Sequence, residues 1–212
     1  VSTSAYDSPQ GYAPGRGGFE FNPVPGMPVK EMSSLKTSPK FNSTAISHQD
    51  FIANFSDSTL LVPGTSIPIN NHINPMDIVA EMRLLNWNYS FSDFMAMCSL
   101  TLYNTGDQSF DDLYVGLWNN TVVRNSNITP AGAGGASFYS QGGNGFVDSL
   151  NLAYCYDATG DEGFTDRYVG QVFLGGEDKQ GFRDPRTDSS FRVNYNAWVD
   201  NNSGQCTCFF TT

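Results

Sequence analysis

Basic residues are scarce in this 212-residue chain, which has 11 Lys and Arg against 21 Asp and Glu and a formal net charge of −10. Residues 1–50 hold four charges of each sign, so residues 51–212 carry the whole acidic excess. Such a surface repels nucleic-acid phosphates and anionic membranes, whereas it attracts divalent cations. We therefore expect no nucleic-acid partner.

Recognisable catalytic motifs are also lacking. The two histidines, His48 and His72, are far apart in sequence, and there is neither a Gly-x-Ser-x-Gly motif nor a paired Cys–His motif. A nucleophile with its base and orienting group therefore cannot be identified. We expect the chain not to be an enzyme. A carboxylate pair of the glycosidase type is the open alternative, because Asp is plentiful and sequence alone gives no separations.

Long apolar runs are missing as well. The longest candidate, Phe94–Tyr103, has the length of a strand and falls short of the roughly 20 residues that a membrane helix needs. We therefore expect no membrane span. The chain begins at Val1 without an initiator Met or a basic–apolar leader, which predicts a processed product or a fragment.

Cysteine is rare but even in number: Cys98, Cys155, Cys206 and Cys208. An even count is typical of disulfides in an oxidising, extracellular compartment. Cys206 and Cys208 are too close for the usual zinc spacing, and their direct pairing would strain the ring. We expect Cys98 or Cys155 to pair with the C-terminal strand; buried free thiols are the alternative.

Residues 1–50 have the composition of an extended N-terminal arm, since proline and glycine recur throughout them. Proline removes ladder donors and glycine adds conformational entropy, so this segment should not fold alone. It nevertheless carries apolar residues that could add a strand to the open sheet edge of a neighbouring subunit. These predicted contact residues are Phe19, Phe21, Val24, Met27 and Val29. A flexible linker is the alternative.

Residues 51–212 show the pattern of an all-β domain, with short alternating segments, frequent turns and no helical period. We predict an antiparallel β-sandwich, Ig-like or jelly-roll-like. Asp77–Phe91 is predicted as one long strand with a bulge near Met82, because its aromatic residues fall out of phase with Met82 and Leu84. The glycine-rich segment Pro130–Gly145 is predicted to be a surface loop.

An acidic hairpin, Asp148–Gly175, is the most distinctive stretch of this domain. Two strand-like segments flank a loop with four carboxylates, Asp157, Asp161, Glu162 and Asp166, and glycines that can turn the backbone. A weaker echo of this pattern precedes Tyr114 and contains Asp107, Asp111 and Asp112. Hard oxygen ligands at close spacing are what Ca²⁺ requires, so both clusters are candidate calcium sites. A solvated acidic turn is the alternative.

Three runs within the same region, FDDLYVGLW, DSLNLAYCYD and GDEGFTDRYVGQVFLG, resemble a module of large secreted, cell-surface proteins of Bacteroidota and related bacteria. The resemblance covers Asn104–Gly175, about a third of the chain. It implies an extracellular β-sandwich with no known catalysis. The combination of arm, acidic β-domain and glycan acceptors also resembles subunits of glycan-coated extracellular fibrils from environmental samples.

Covalent glycans are expected at two kinds of position. Asn-x-Ser/Thr sequons, which mark N-glycan acceptors, occur at Asn42, Asn54, Asn88, Asn119, Asn127 and Asn201. The resemblance to the bacterial module adds Ser58 and Ser149, which follow an Asp in the pattern that this group uses for O-glycosylation.

These observations predict a structural subunit of an extracellular filament or surface assembly. Its partners would be copies of itself, joined head to tail by the arm in a strand-donation contact. A contact of this heterologous kind builds an open fibre. The alternative is a carbohydrate-binding module of a larger secreted protein, in which aromatic side chains form a stacking platform: Trp87, Trp118, Trp198, Tyr139 and Tyr195.

Overall fold

The computed structural model describes residues 19–69, 72–110, 113–117, 121, 123, 142–157, 164–178, 181–188 and 193–195. Over these ranges the regular structure is β-strand, and the strands pair only antiparallel. The predicted all-β, antiparallel class is therefore confirmed. The chain divides into two compact units, Val1–Trp118 and Asn119–Thr212, and the sandwich architecture stays a prediction. In these described ranges no helix has the length and apolar character that crossing a bilayer requires.

The first unit is built on one sheet of five strands. They are β1 (Asn22–Pro23), β2 (Lys30–Met32), β3 (Gln49–Ser56), β4 (Ile78–Asn86) and β5 (Met97–Asn104). The order is β1-β3-β4-β5, and β2 also pairs with β3, beside β1 along the same strand. Part of the predicted arm is thus laid along β3 of its own chain. The predicted division into an arm and one domain at residue 50 stays a prediction, since residues 1–18 lie outside the described ranges.

The register of β3, β4 and β5 places apolar side chains on one face of the sheet. Residues that pair directly across antiparallel strands share a face, and here they form three rows. The rows are Phe51–Leu84–Cys98, Ala53–Met82–Leu100 and Phe55–Ala80–Leu102. Cys98, Leu100 and Leu102 therefore share one face of β5.

The predicted long strand Asp77–Phe91 is wrong at its C-terminal end, because β4 stops at Asn86 and residues 90–94 form a turn. Met82 and Leu84 lie in a regular ladder without a bulge. The backbone N–H of Asn86 donates to Ser47 Oγ (3.0 Å) and that of Asn88 to His48 Nδ1 (3.0 Å). These side chains take the place of a partner strand, so the aromatic alternation beyond Asn86 belongs to a turn.

Buried carboxylates fasten both ends of β3. Asp50 has no exposed surface and accepts backbone N–H groups from Ile46 (2.9 Å) and Ser47 (2.8 Å). Arg83 on β4 donates to the same carboxylate through Nη2 (2.5 Å) and Nε (3.1 Å). Asp57, equally buried, accepts the backbone N–H groups of Met76 (2.8 Å) and Ile78 (2.9 Å). Each carboxylate closes a connection between strands.

The second unit contains a three-stranded sheet and a small hairpin. The sheet has the order β6-β7-β8, with β6 (Gly142–Val147), β7 (Leu152–Asp157) and β8 (Tyr168–Val172). A 3₁₀ turn, Asp148–Leu150, joins β6 to β7 through Asn151, which has a positive φ of 48°. The hairpin pairs β9 (Gly176–Asp178) with β10 (Gly181–Arg183). The two strands predicted on either side of the acidic loop are present as β7 and β8.

Gly142, Gly143 and Gly145, predicted as part of a surface loop, belong to β6 instead. Gly143 lies opposite Tyr156, and Gly145 lies opposite Tyr154. A Cβ added at either glycine would come within 2.5 Å of the hydroxyl of the facing tyrosine. The tyrosine side chains therefore lie across the bare backbone of β6, and glycine is the residue that leaves room for them.

Removing the Asp50 carboxylate should destabilise the first unit strongly. Asp50→Ala leaves the Ile46 and Ser47 N–H groups and the Arg83 guanidinium without their buried acceptor, at a cost of about 3–5 kcal/mol. Urea unfolding monitored by circular dichroism measures the loss. Burial opposes the charged form, but hydrogen bonds from Ser47, Ile46 and Arg83 outweigh it and hold the pKa of Asp50 below its ordinary value of 3.8. The difference between wild type and variant should therefore persist at neutral pH and shrink as the pH falls below 3.8 through the lowered pKa.

Glu31→Ala is the matched control for this experiment. Glu31 forms a 3.8 Å ion pair with Lys40 on the surface, and exposed pairs contribute about 0–1 kcal/mol. Equal losses from the two variants would contradict the role given to Asp50.

Candidate functional site

The acidic loop begins at a buried carboxylate. Asp157 is the last residue of β7 and is only 4% exposed. Its Oδ2 accepts the backbone N–H of Thr165 at 3.0 Å, which ties the end of β7 to the segment that leads into β8. Its Oδ1 is buried and has no hydrogen-bond partner. Since buried polar atoms are nearly always paired, this oxygen is the least satisfied group of the second unit's described part.

Asp57 shows what the same arrangement looks like when it is complete. Asp57 follows β3 directly, as Asp157 ends β7, and both carboxylates reach the backbone that returns to the next strand. At Asp57 each oxygen accepts one N–H, from Met76 and Ile78. At Asp157 one oxygen accepts the Thr165 N–H, and the other has no hydrogen-bond partner among the described residues. The acidic corner therefore contains one buried acceptor that no described donor satisfies.

The structure describes only two of the other predicted metal ligands, Asp166 and Asp107. Asp161, Glu162, Asp111 and Asp112 lie outside the described residues. Asp166 is exposed and forms a 3.7 Å ion pair with Arg167, and Asp107 is exposed in the turn after β5. Where the structure describes the chain, no three His, Cys, Asp or Glu side chains are grouped to hold a metal ion. Calcium at the two acidic clusters stays a prediction.

Three tyrosines form an aromatic face on the sheet of the second unit. Tyr154 and Tyr156 on β7 and Tyr168 on β8 have ring centroids 6.1–6.2 Å apart, with the rings tilted to each other. Register places Gly143, Gly145 and Gly170 on the same face. Tyr168 is 67% exposed. The face therefore presents aromatic rings and hydroxyls to solvent with no side chains on the flanking glycines.

This tyrosine face is a different set of residues from the predicted stacking platform. Trp118, Trp198 and Tyr139 lie outside the described residues, and Trp87 is half-buried in the first unit. Tyr195 stacks on Phe146, with centroids 5.0 Å apart, and its hydroxyl donates to Asn144 Oδ1 at 3.0 Å. Burial, and then the neighbouring Cys155 and Tyr154, raises the pKa of Tyr195, which keeps the hydroxyl protonated as a donor.

The sequence does not predict the tyrosine face directly, because tyrosine at every second position of β7 indicates only a half-buried strand. The signal that points to it is the glycine-rich segment with Gly143 and Gly145. Glycines spaced by two residues on a neighbouring strand leave one face bare, and large aromatic side chains opposite them can then lie flat.

The predicted glycan acceptors differ in accessibility. Asn42 sits in a turn, where its Oδ1 accepts the N–H (2.9 Å) and the hydroxyl (2.7 Å) of Thr44. Asn88, Ser58 and Ser149 are exposed. Asn54 lies within β3, paired with Glu81, and its carbonyl accepts the Val24 N–H at 2.9 Å. Asn119, Asn127 and Asn201 lie outside the described residues. Asn42 and Asn88 are thus the best-placed N-glycan acceptors among those described.

The two described cysteines are free thiols, one in each unit. Cys98 is exposed on β5, and Cys155 is half-buried on β7. Burial raises the pKa of both thiols. Cys206 and Cys208 lie outside the described residues, so the predicted disulfide to the C-terminal strand stays a prediction.

The predicted contact residues of the arm surround β1 and the turn that follows it. Phe19, Phe21 and Val24 are half-buried, whereas Met27 and Val29 are 52% and 63% exposed. The Val24 N–H donates to the Asn54 carbonyl, and the Met27 N–H donates to the Val24 carbonyl at 3.1 Å. Gly26 has a φ of +78° in this turn, which favours glycine. Contact with another copy of the chain stays a prediction.

No protein-family model, curated protein or solved structure matches this chain. The function of the chain is therefore inferred from the described geometry and from the sequence motifs.

Gly145→Ala should disturb the tyrosine face. The added methyl group would meet the Tyr154 ring at 2.5 Å, and such overpacking costs typically about 1–3 kcal/mol. Tyrosine fluorescence and thermal unfolding measure the displacement and the loss. Gly116→Ala is the control, because a Cβ at Gly116 meets nothing within 4 Å. If both variants unfold together with wild type, the close approach of Tyr154 to β6 is wrong.

Proposed function

We propose that this chain is a structural subunit of an extracellular filament or surface assembly, in which the N-terminal arm of one copy pairs with β3 of the next. The observation that carries the proposal is the position of the arm. β1 and β2 occupy the edge of β3 through two short ladders, Asn22–Pro23 on Phe55–Ser56 and Lys30–Met32 on Asp50–Ile52. A third segment of arm, with exposed Met27 and Val29, links them.

Short edge ladders favour exchange between copies. If the arm leaves β3, the strand exposes a row of unpaired N–H and C=O groups, which is a template for another strand. The arm of a second copy carries the same side chains in the same register and satisfies the same groups. Strand addition of this kind joins identical chains at little cost, because the bonds broken within one chain are remade between two.

The opposite edge of the sheet offers a second contact surface. Among the described strands β5 pairs only with β4, and every one of its residues except half-buried Leu102 is exposed. Met97, Leu100 and Tyr103 are large exposed hydrophobic residues on this strand. Met97 and Tyr103 lie on one face of β5 and Leu100 on the other. Because the open edge of a strand is itself a template for another strand, β5 suits contact between subunits. Glycans at exposed acceptors such as Asn88 and an extracellular location belong to the same proposal.

Cysteine pairs placed across the β2–β3 ladder test the exchange. Lys30→Cys on one copy and Ile52→Cys on a copy with a different affinity tag face each other only if the arm of the first lies on β3 of the second. We expect a disulfide between the two tagged chains after mild oxidation, detected on a non-reducing gel. Negative-stain micrographs of the same protein without the cysteine substitutions should show ordered fibres.

The control for this test uses Lys36→Cys in place of Lys30→Cys, since Lys36 lies outside the β2–β3 register. The double variant Lys30→Cys/Ile52→Cys, made in a single chain, shows that the geometry permits a bond. If the double variant forms its bond within one chain and the mixed copies form none between chains, the arm does not exchange and the proposal is wrong.

A second candidate function is carbohydrate binding, and the tyrosine face is the observation that favours it. Aromatic rings at a solvent-exposed surface stack on the C–H faces of sugars, and tyrosine hydroxyls can hydrogen-bond to sugar hydroxyls. Tyr154, Tyr156 and Tyr168 provide three such rings on one face. Tyr168 is 67% exposed, and Tyr154 and Tyr156 are half-buried.

Tyr168→Ala should weaken binding to a soluble polysaccharide by about threefold to tenfold, because an aromatic contact contributes about 0.5–1.5 kcal/mol. Affinity electrophoresis against a panel of neutral and acidic polysaccharides measures it. Tyr114→Ala is the control, since Tyr114 is also exposed, at 88%, but belongs to the first unit. If no polysaccharide in the panel retards the wild-type protein, the carbohydrate hypothesis is wrong.

A further inference from the structure

The unpaired oxygen of Asp157 carries a further inference. Among the described residues, the Asp157 side chain forms one hydrogen bond, from the Thr165 N–H to Oδ2, and no ion pair. Oδ1 is enclosed by protein and has no partner. An ionised carboxylate is an acceptor only and its two oxygens offer about four acceptor positions. Most of the acceptor capacity of this buried group is therefore unused.

A buried charge without a partner is unfavourable. Removing a carboxylate from water costs far more than removing a neutral group, unless a cation or several donors replace the lost hydration. The other two buried carboxylates at strand ends obey this rule: Asp50 has Arg83 and two N–H groups, and Asp57 has two N–H groups. Asp157, which lies in the acidic loop, does not obey the rule, because its Oδ1 has no partner among the described residues.

We propose that Asp157 Oδ1 binds a hard divalent cation, of which Ca²⁺ fits best. The donor is a carboxylate oxygen, and Asp166, an exposed carboxylate, directly follows Thr165, the residue whose N–H binds Asp157 Oδ2. Oxygen ligands of this kind suit Ca²⁺, which accepts irregular geometry and backbone carbonyls, whereas Zn²⁺ prefers His and Cys. Asp161 and Glu162 lie outside the described residues, and the proposal does not rest on them.

The cation would pair with the second carboxylate oxygen of Asp157, as an N–H group pairs with the second oxygen of Asp57. The Thr165 N–H already joins Oδ2 to the start of the β8 segment. A cation on Oδ1 that also takes an oxygen of the described residues 164–167 would fasten this segment to the end of β7. The site goes beyond the proposed function, because it concerns the second unit and does not depend on exchange of the arm.

Asp157→Asn tests the site, because it keeps an oxygen for the Thr165 N–H and removes the charge. In Ca²⁺ the melting temperature of wild type should exceed that of the variant, since a ligand that binds only the folded state stabilises it. In EDTA the order should reverse, because the variant no longer buries an uncompensated charge. A purely structural role for Asp157 would lower the melting temperature of the variant equally in both conditions.

Affinity is measured directly with terbium, whose luminescence is sensitised by nearby tyrosine, and by competition with Ca²⁺ and Mg²⁺. Asp157→Asn should weaken Ca²⁺ binding at least tenfold, and Ca²⁺ should compete better than Mg²⁺. Asp148→Asn is the matched control, since Asp148 is an exposed carboxylate of the 3₁₀ turn at the other end of β7. If Ca²⁺ leaves the melting temperature of wild type unchanged, or shifts that of Asp157→Asn by the same amount, the inference is overturned.

Discussion

Carboxylates buried where a strand meets a connection hold this protein in its fold. Among the described residues, the largest fully buried side chains are Asp50, Asp57, Ser47 and Ser92, and none of these four is apolar. Ser47 and Asp50 hydrogen-bond to each other and fix the start of β3, while Asp57 fixes its end. Since an incorrectly placed strand would leave these buried groups unpaired, at a cost that apolar packing would not impose, the polar corners specify the register of the sheet.

The apolar residues on the sheet face of the first unit are less buried than these carboxylates. Most of those on the sheet face are half-buried or exposed, including Leu84, Cys98 and Leu100. A face of this kind contributes fully to stability only when further protein covers it, because the hydrophobic contribution scales with the area removed from water. A subunit whose corners are fixed by polar bonds can keep its shape while such a face is free. That combination suits a chain that assembles after it folds, as proposed here for a filament or surface subunit.

Strands were easier to predict from the sequence than their ends. Alternation located β5 and β7, because half-buried strands impose a period of two on the side chains, and a run that is apolar on both faces located β8. The end of β4 was missed, since the N–H groups of Asn86 and Asn88 bond to the Ser47 and His48 side chains, which are about 40 positions earlier in the chain. Hydrogen bonds over that separation leave no local pattern.

The candidate site was predicted in part for the same reason. The acidic residues around Asp157 were identified from composition, but composition does not distinguish a solvated carboxylate from a buried one. Asp166 proves exposed and Asp157 buried, although both occur in the same acidic loop. Likewise, the glycine-rich sequence around Gly143 and Gly145 is typical of a loop, but both glycines lie in a strand opposite Tyr156 and Tyr154. In both cases a partner distant in sequence decides the environment.

The two candidate sites of the second unit are connected through β7. Successive residues of a strand point to opposite faces, so Tyr156 lies on the tyrosine face while Asp157 lies on the other. The pair Tyr156–Tyr168 is the last of the β7–β8 ladder before the acidic loop. Whatever holds Asp157 to the Thr165 segment therefore also limits how far Tyr156 and Tyr168 can separate. A cation at Asp157 would thus order the tyrosine rings on the opposite face without touching them. The rigidity of the acidic corner and ligand binding at the tyrosine face would then both depend on the C-terminal end of β7.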